Sequence, residues 1–313
     1  MQNWKEKRVT PKPVRRAGTS FREFERKFPD SSACLEYLQV QVYGINPKCP
    51  KCGLDSQISQ SSSGTHFVSS CCRSAKFVPL KNTIFAKSQL PLIKWFWCLL
   101  HFTNASSGVT TDFIRCQLGM STKASIRVAQ KIRAQLVTID CNIKLQADQR
   151  IFVDETTINN ISRGSQKNGV KFRILGATDG VEFLMIAIPS GRYATSRDRL
   201  FDRCERGSTL EIRQKTTQQK LTNFKNLTKI KGHCLKLTSE PDRQEYHNLT
   251  NFMNAGKRFI LSTHIWVTDR QLDSYIGHFS FLYRRRYRGQ DIFWEALAGC
   301  AMPIAKTGIQ WRN

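Results

Sequence analysis

Apolar positions along the chain change texture near residue 146. Upstream they recur at helical intervals. In SSACLEYLQVQVYG, starting at Ser31, residues Cys34, Leu35, Leu38 and Val42 fall on one stripe and Gly44 stops the helix. LPLIKWFWCLLHF, Leu90 to Phe102, is apolar almost all round and reads as a buried helix. Thr110 to Leu118 and Lys123 to Leu136 are also periodic, and they flank the turn Gly119-Met120-Ser121-Thr122, whose hydroxyl residues can cap the second helix. That is a helix-turn-helix pattern.

Downstream the runs become extended. RIFVDET, GVKFRILGATDG and VEFLMIAIPS read as three strands, the last two joined at the turn signal Asp179-Gly180. SRDRLFDRCERG reads as a short helix closed by Gly207, with STLEI as a fourth strand. The tail offers two helices, Thr268 to Tyr287, with Leu272, Tyr275, Ile276 and Phe279 on one stripe, and Asp291 to Cys300. Strands followed by helix and strand fit an α+β or α/β nuclease-type core. Four segments follow from this texture: a flexible arm over residues 1–28, a helix plus ribbon over 29–88, a helical region over 89–145 and a sheet-bearing core over 146–313. The arm carries nine Lys or Arg, three Glu and two prolines without an apolar period, as a phosphate-binding, nuclear-addressing or merely solubilising tail would.

Chemistry enters with PKCPKCG, where Cys49 and Cys52 sit in a Cys-x-x-Cys knuckle. Zinc ribbons complete such a knuckle with a second pair on a facing hairpin. Cys71 and Cys72 are the downstream candidates, in THFVSSCCRSAKF. Adjacent residues of a strand point to opposite faces, so both can reach one ion only if the chain kinks there; His66 is the alternative ligand. A metal-free hairpin keeping its cysteines as small apolar residues is the competing account.

Charge narrows the partner. Forty-nine Lys and Arg against 24 Asp and Glu give a formal net charge of +25, which suits a polyphosphate, double-stranded DNA before an anionic membrane. Lys123, Arg127 and Lys131, with Arg133, occupy the second helix of the helix-turn-helix pattern, several of them away from Ile126, Val128 and Ile132. Arg284, Arg285, Arg286 and Arg288 interleave with Tyr283 and Tyr287 in FLYRRRYRGQ, which suits a nucleic-acid backbone or a helix C-terminus. The 13 residues of Leu90 to Phe102 include Lys94 and fall short of the roughly 20 apolar residues a membrane span requires. The basic N-terminus lacks a signal-peptide core, so secretion is not expected; the compartment would be the nucleus in a eukaryotic host and the cytoplasm in a bacterial one.

IFVDETTI places Asp154 and Glu155 side by side in an otherwise apolar strand. Burying a carboxylate costs several kcal/mol unless it is paired or bound to a metal.

The order of these pieces carries a family likeness. The helix before CPKCG, the stretch KFVPLKNTIFAKSQLPLIKWF, then ASIRVAQKIRAQL, IFVDET and LDSYIGHFSFLYRRRYRG resemble DDE transposases of the Merlin superfamily and their bacterial ISXO-type insertion-sequence relatives, from about Asp30 to Cys300. The resemblance implies a zinc ribbon and helical DNA-binding region ahead of an RNase H-like mixed-sheet core. That core cuts and joins DNA with two magnesium or manganese ions and works as a dimer pairing two DNA ends. It makes Asp154 the first catalytic acid, with Glu155 its outward-facing neighbour. The chain then departs from the pattern. Near the second acid it reads GSTLEIRQKT, with Arg213 close to the expected position and Glu211 the sole acid between Arg206 and Ser239. Near the third, ILSTHIWVTDRQLDSYI runs from Thr263-His264 almost directly into Leu272, leaving no room for the acid-bearing helix; Asp269 and Asp273 are the nearby substitutes. The expectation is a DNA-binding, transposase-like protein impaired in catalysis, or a non-catalytic DNA-binding protein derived from one.

Overall fold

The structure, a computed structural model, describes residues 18–72, 75–146, 150–159, 171–188, 193–213, 234–238, 243–263, 267–286 and 291–302. Helices α1 (Phe21–Lys27) and α2 (Ser31–Tyr43) open the chain, capped by the side chains of Ser20 and Asp30. Three short antiparallel strands follow, β1 (Ile58–Gln60), β2 (Phe67–Ser69) and β3 (Lys76–Phe77). A helical layer comes next: α3 (Leu92–Asn104), α4 (Thr111–Leu118) and α5 (Thr122–Ile139). Thr110 and Ser121 cap α4 and α5 through their hydroxyls, and Gly119 ends α4 in the left-handed conformation. The Ser121 cap matches the hydroxyl cap of the second helix expected from sequence.

The second half is built on a five-stranded mixed sheet. Strands β4 (Arg150–Asn159), β5 (Lys171–Thr178) and β6 (Phe183–Ile188) are antiparallel, while β7 (Thr209–Arg213) and β8 (Cys234–Thr238) run parallel to β4, giving the order β6-β5-β4-β7-β8. Helix α6 (Tyr193–Asp202) connects β6 to β7. Three helices complete the described chain: α7 (Arg243–Thr263), α8 (Asp269–Arg284) and α9 (Asp291–Ala301).

The sheet is covered on both faces, and alternation along the strands decides what each covers. Ile151, Val153, Leu175, Leu210 and Ile212 meet Leu200 and Phe201 of α6 in one cluster. Phe152, Ile174, Met185 and Ala187 face the other way, onto α7 and α8, and join a core that runs from Phe24 to Ala301. The two boundaries expected at residues 88 and 145 therefore do not divide the apolar core. Phe67 and Phe77 of the small sheet, Phe96 of α3, Ile132 of α5 and Phe293 of α9 all belong to it. Close helix approach depends on a missing side chain at Gly277, where a Cβ would stand 2.1 Å from Val137 Cγ2 of α5.

Several expectations are corrected. Residues 18–28 are not part of an open arm: Phe24 and Phe28 are buried and α1 is a packed helix, while residues 1–17 lie outside the described ones. A 21-residue helix not anticipated from sequence, α7, ends at Thr263, and α8 begins at Asp269, so the interval between Thr263 and Leu272 stays as short as expected. Ile126 lies on the exposed side of α5, whereas Arg133 is buried, donating to the Val109 carbonyl at 2.9 Å and stacking 4.1 Å from the Tyr275 ring centroid. Among the described residues no helix is long and apolar enough to cross a membrane.

Candidate metal centre and carboxylate site

The CPKCG knuckle is held by its own backbone. Cys49 N–H donates to Leu54 O, and Gly53 N–H donates back to Cys49 O, both at 2.8 Å. The facing cysteines are not strand neighbours on opposite faces. Strand β2 ends at Ser69, and the chain bends through Ser70 and Cys71, so Cys71 and Cys72 both turn toward the knuckle. Ser69 anchors this bend: its hydroxyl lies 2.6 Å from Ser56 Oγ and 3.0 Å from Cys71 Sγ, and accepts from Cys72 N–H at 3.4 Å.

The four sulfurs of Cys49, Cys52, Cys71 and Cys72 all lie within 4.8 Å of one another, with Cys52 and Cys71 at 3.4 Å. A tetrahedral zinc with Zn–S bonds of about 2.3 Å separates its sulfurs by about 3.8 Å, so the four-thiol set fits such an ion in number, type and spacing. Hydrogen bonding from Ser69 draws the Cys49 thiol down to about 6, while the proton shared with Cys52 pushes Cys72 up to about 12. One thiolate is thus favoured before any ion arrives, and metal binding would displace the remaining protons. His66 does not substitute. It sits in the β1–β2 turn, its Nδ1 engaged by Ser61 and Thr65 at 3.2 and 3.1 Å.

Asp154 stands on β4, the middle strand, opposite Gly176 of β5. Its Oδ1 accepts from the Glu155 N–H at 2.8 Å. Helix α7 crosses this face of the sheet. Met253 lies where a Cβ on Gly176 would be, 2.6 Å from its Sδ, and the negative charge of Asp154 acts on Lys257, whose pKa burial lowers. Glu155 points to the opposite face, as expected, but its side chain is mostly enclosed rather than outward in solvent and lies 3.9 Å from Arg173 Nε.

Among the described residues, the acids expected to join Asp154 are held apart from it. Phe152 pairs with Glu211 in parallel register, so Glu211 shares the Asp154 face but lies two residues back, about 7 Å along the strand. Side-chain direction is therefore not what separates Glu211 from the expected second position; displacement is. The pairing of β4 with β7 ends at Val153 and Ile212, one residue before Asp154. Glu211 is fully buried, its Oε1 3.3 Å from Arg150 Nε, and Tyr246 of α7 donates to its backbone carbonyl at 2.9 Å. Asp273 is held elsewhere, bidentate to Arg199 at 2.9 and 3.1 Å and accepting from Ala187 N–H at the β6 edge. Asp269 begins α8, and its side chain lies outside the described set. Among the described residues, the group of three or more ligating side chains close enough for one ion is the cysteine cluster.

The predicted cations divide sharply. Lys123 and Arg127 are exposed on α5. Lys131 turns inward, its Nζ donating to Ile84 O at 3.2 Å. Arg284 and Arg285 are not surface groups: with Asp140 they form buried ion pairs of 2.7 and 2.9 Å, and Arg285 also donates to Glu295 at 2.6 Å. Arg286 folds over Tyr283, its guanidinium carbon 3.7 Å from the ring centroid and its Nη1 donating to Tyr283 O. Arg288 lies outside the described residues. Sequence reasoning passed over Glu182, Asp140 and Glu295, the acids that capture this arginine cluster; their only sequence signal is wide spacing, which pairing across the fold erases. No known protein-family model matches the chain, and no curated protein matches it either.

Proposed function

We propose that this chain is a DNA-binding protein of transposase type whose metal-dependent strand chemistry is impaired. The observation that carries the reading is charge: +25 over 313 residues, with Lys123 and Arg127 left exposed on a capped helix after a tight turn. A duplex attracts such a surface through its phosphates, and a helix entering from a helix-turn-helix is a standard reader of the major groove. The mixed sheet with its first strand in the middle supports an RNase H-like core. The cysteine cluster supports zinc as the ion of the ribbon.

Impairment rests on the surroundings of Asp154. Two divalent ions about 4 Å apart need several shared carboxylate oxygens. Glu211 is buried against Arg150, and Asp273 is bound to Arg199. A protein retained for duplex binding, sequence-specific or architectural, loses nothing by this.

Full-length protein titrated onto duplex DNA at rising salt tests the binding half. Affinity is expected to fall at least about a hundredfold between 50 and 200 mM salt, because each neutralised phosphate releases counterions. Charge reversal at Lys123 and Arg127 should flatten that slope. Salt-independent binding would overturn the reading. For the catalytic half, nicking in Mg²⁺ or Mn²⁺ is expected to be no greater than in Asp154→Ala; nicking that vanishes in that variant would instead make the chain an active transposase.

A further inference from the structure

Helix α5 has two faces, and one residue breaks the division between them. Val128, Ala129, Ile132 and Leu136 are buried at helical spacing. The other face begins with Lys123, Ile126 and Arg127, all exposed, and continues to the partly buried Gln130. The spacing i, i+3, i+4 and i+7 puts these four side chains on one stripe. Among the large apolar side chains of α5, Ile126 is the exposed one, at 38 %.

A single exposed isoleucine is ordinary on a protein surface, so its position is what informs. Ile126 is one turn beyond Lys123 and next to Arg127, on a helix of 18 residues that carries four Lys or Arg and no Asp or Glu. It also lies near the start of that helix. Gly119 ends α4, Ser121 caps α5, and Ile126 falls in the second turn, within the part of a recognition helix that reaches base edges.

A face that met phosphates alone would gain nothing from an isoleucine, because phosphate oxygens take hydrogen-bond donors and positive charge. The major groove offers both chemistries: phosphates along its edges and, at each thymine, a C5-methyl group on its floor. We propose that Ile126 is a specificity-determining residue, its side chain packing on a thymine methyl while Lys123 and Arg127 hold the flanking phosphates. This rests on duplex binding through α5 and goes beyond it. Attraction by a net charge of +25 is indifferent to sequence, whereas a methyl contact selects an A·T pair at a fixed place in the bound site.

The test starts with the full-length, zinc-loaded protein selecting from a random-sequence duplex library at low salt. Each thymine of the selected duplex is then replaced in turn by uracil, which removes the methyl group and leaves the phosphates, the base pairing and the minor-groove pattern in place. At one thymine or more, wild-type affinity is expected to fall about fourfold, the worth of one buried methyl-sized group. Ile126→Ala should bind the thymine and uracil duplexes alike, at an unchanged melting temperature because the side chain it shortens is exposed. Wild-type indifference to every uracil, or a thymine preference that Ile126→Ala retains, would overturn the proposal. Salt-sensitive binding that enriches no motif, or a motif without thymine, overturns it as well and leaves duplex binding standing. Failure to bind any duplex at low salt overturns both.

Discussion

Glu211 is fully enclosed between Phe152 and α7, with neither carboxylate oxygen in a hydrogen bond and one guanidinium nitrogen 3.3 Å away. A buried carboxylate in that state is tolerated only because Arg150 is beside it, so the two residues must be judged together. Arg150 is about half exposed, which screens the pair and lowers what its loss costs. Replacing Arg150 with Met is expected to destabilise the protein by about 1–3 kcal/mol in urea unfolding, the range for leaving a buried polar group unpaired. Glu211→Gln in the same background should recover most of that loss, because the charge needing a partner is gone. A neutral effect of Arg150→Met would mean that the pair adds nothing to stability. The sequence names this acid readily, as the lone one in its segment. Its burial is invisible there, because strand alternation predicts a face but not which helix lies over it.

Among the elements, the ribbon was the most legible. Cys-x-x-Cys with a following glycine specifies a knuckle through local backbone geometry, and a nearby thiol pair completes it. Helix α5 was legible in extent but not in orientation: Ile126 lies outside and Arg133 inside, because the aromatic rings of Phe102 and Tyr275 receive a guanidinium that periodicity assigns to solvent. Helix α7 was missed although Tyr246, Leu249, Phe252, Met253, Phe259 and Ile260 are all buried along it. Intervening Asn, Thr and Gly residues lower its local propensity, and packing against the sheet overrides them. The ribbon also makes a prediction of its own. Phe67 and Phe77 flank the cysteine turn and belong to the large core, so metal loss cannot be confined to the small sheet. Metal analysis is expected to find about one zinc per chain. Chelation should lower the single melting midpoint by about 10 °C or more, since structural zinc sites carry folding free energy. Melting that is unchanged in chelator would leave the cysteines as packing residues.

At the scale of the molecule, the question is what makes the helical layer and the sheet one folding unit, when the sequence separates them at residue 145. Apolar continuity is part of the answer, but the seam between them is ionic. Asp140, just past α5, receives Arg284 and Arg285 from the end of α8; Arg284 also reaches Glu182 at 3.3 Å and donates to Phe183 O at the start of β6, and Arg203 donates to the Asp140 carbonyl at 2.6 Å. One 7 %-exposed carboxylate thus faces two guanidiniums that are themselves 9 and 8 % exposed, while Glu182, at 37 %, is partly in solvent. Removing one partner of a buried ion pair costs about 3–5 kcal/mol, whereas an exposed pair is worth about 0–1 kcal/mol. Asp140→Asn should therefore lower unfolding free energy several-fold more than Glu182→Gln. The arginines stranded by Asp140→Asn bind α5 to α8, α9 and β6 alike, so the loss should appear in one transition followed by near- and far-ultraviolet dichroism together. Separate transitions in the wild-type protein would show instead that the helical layer and the sheet fold apart, and that the arginines near 285 serve a surface the ion pairs only partly cover.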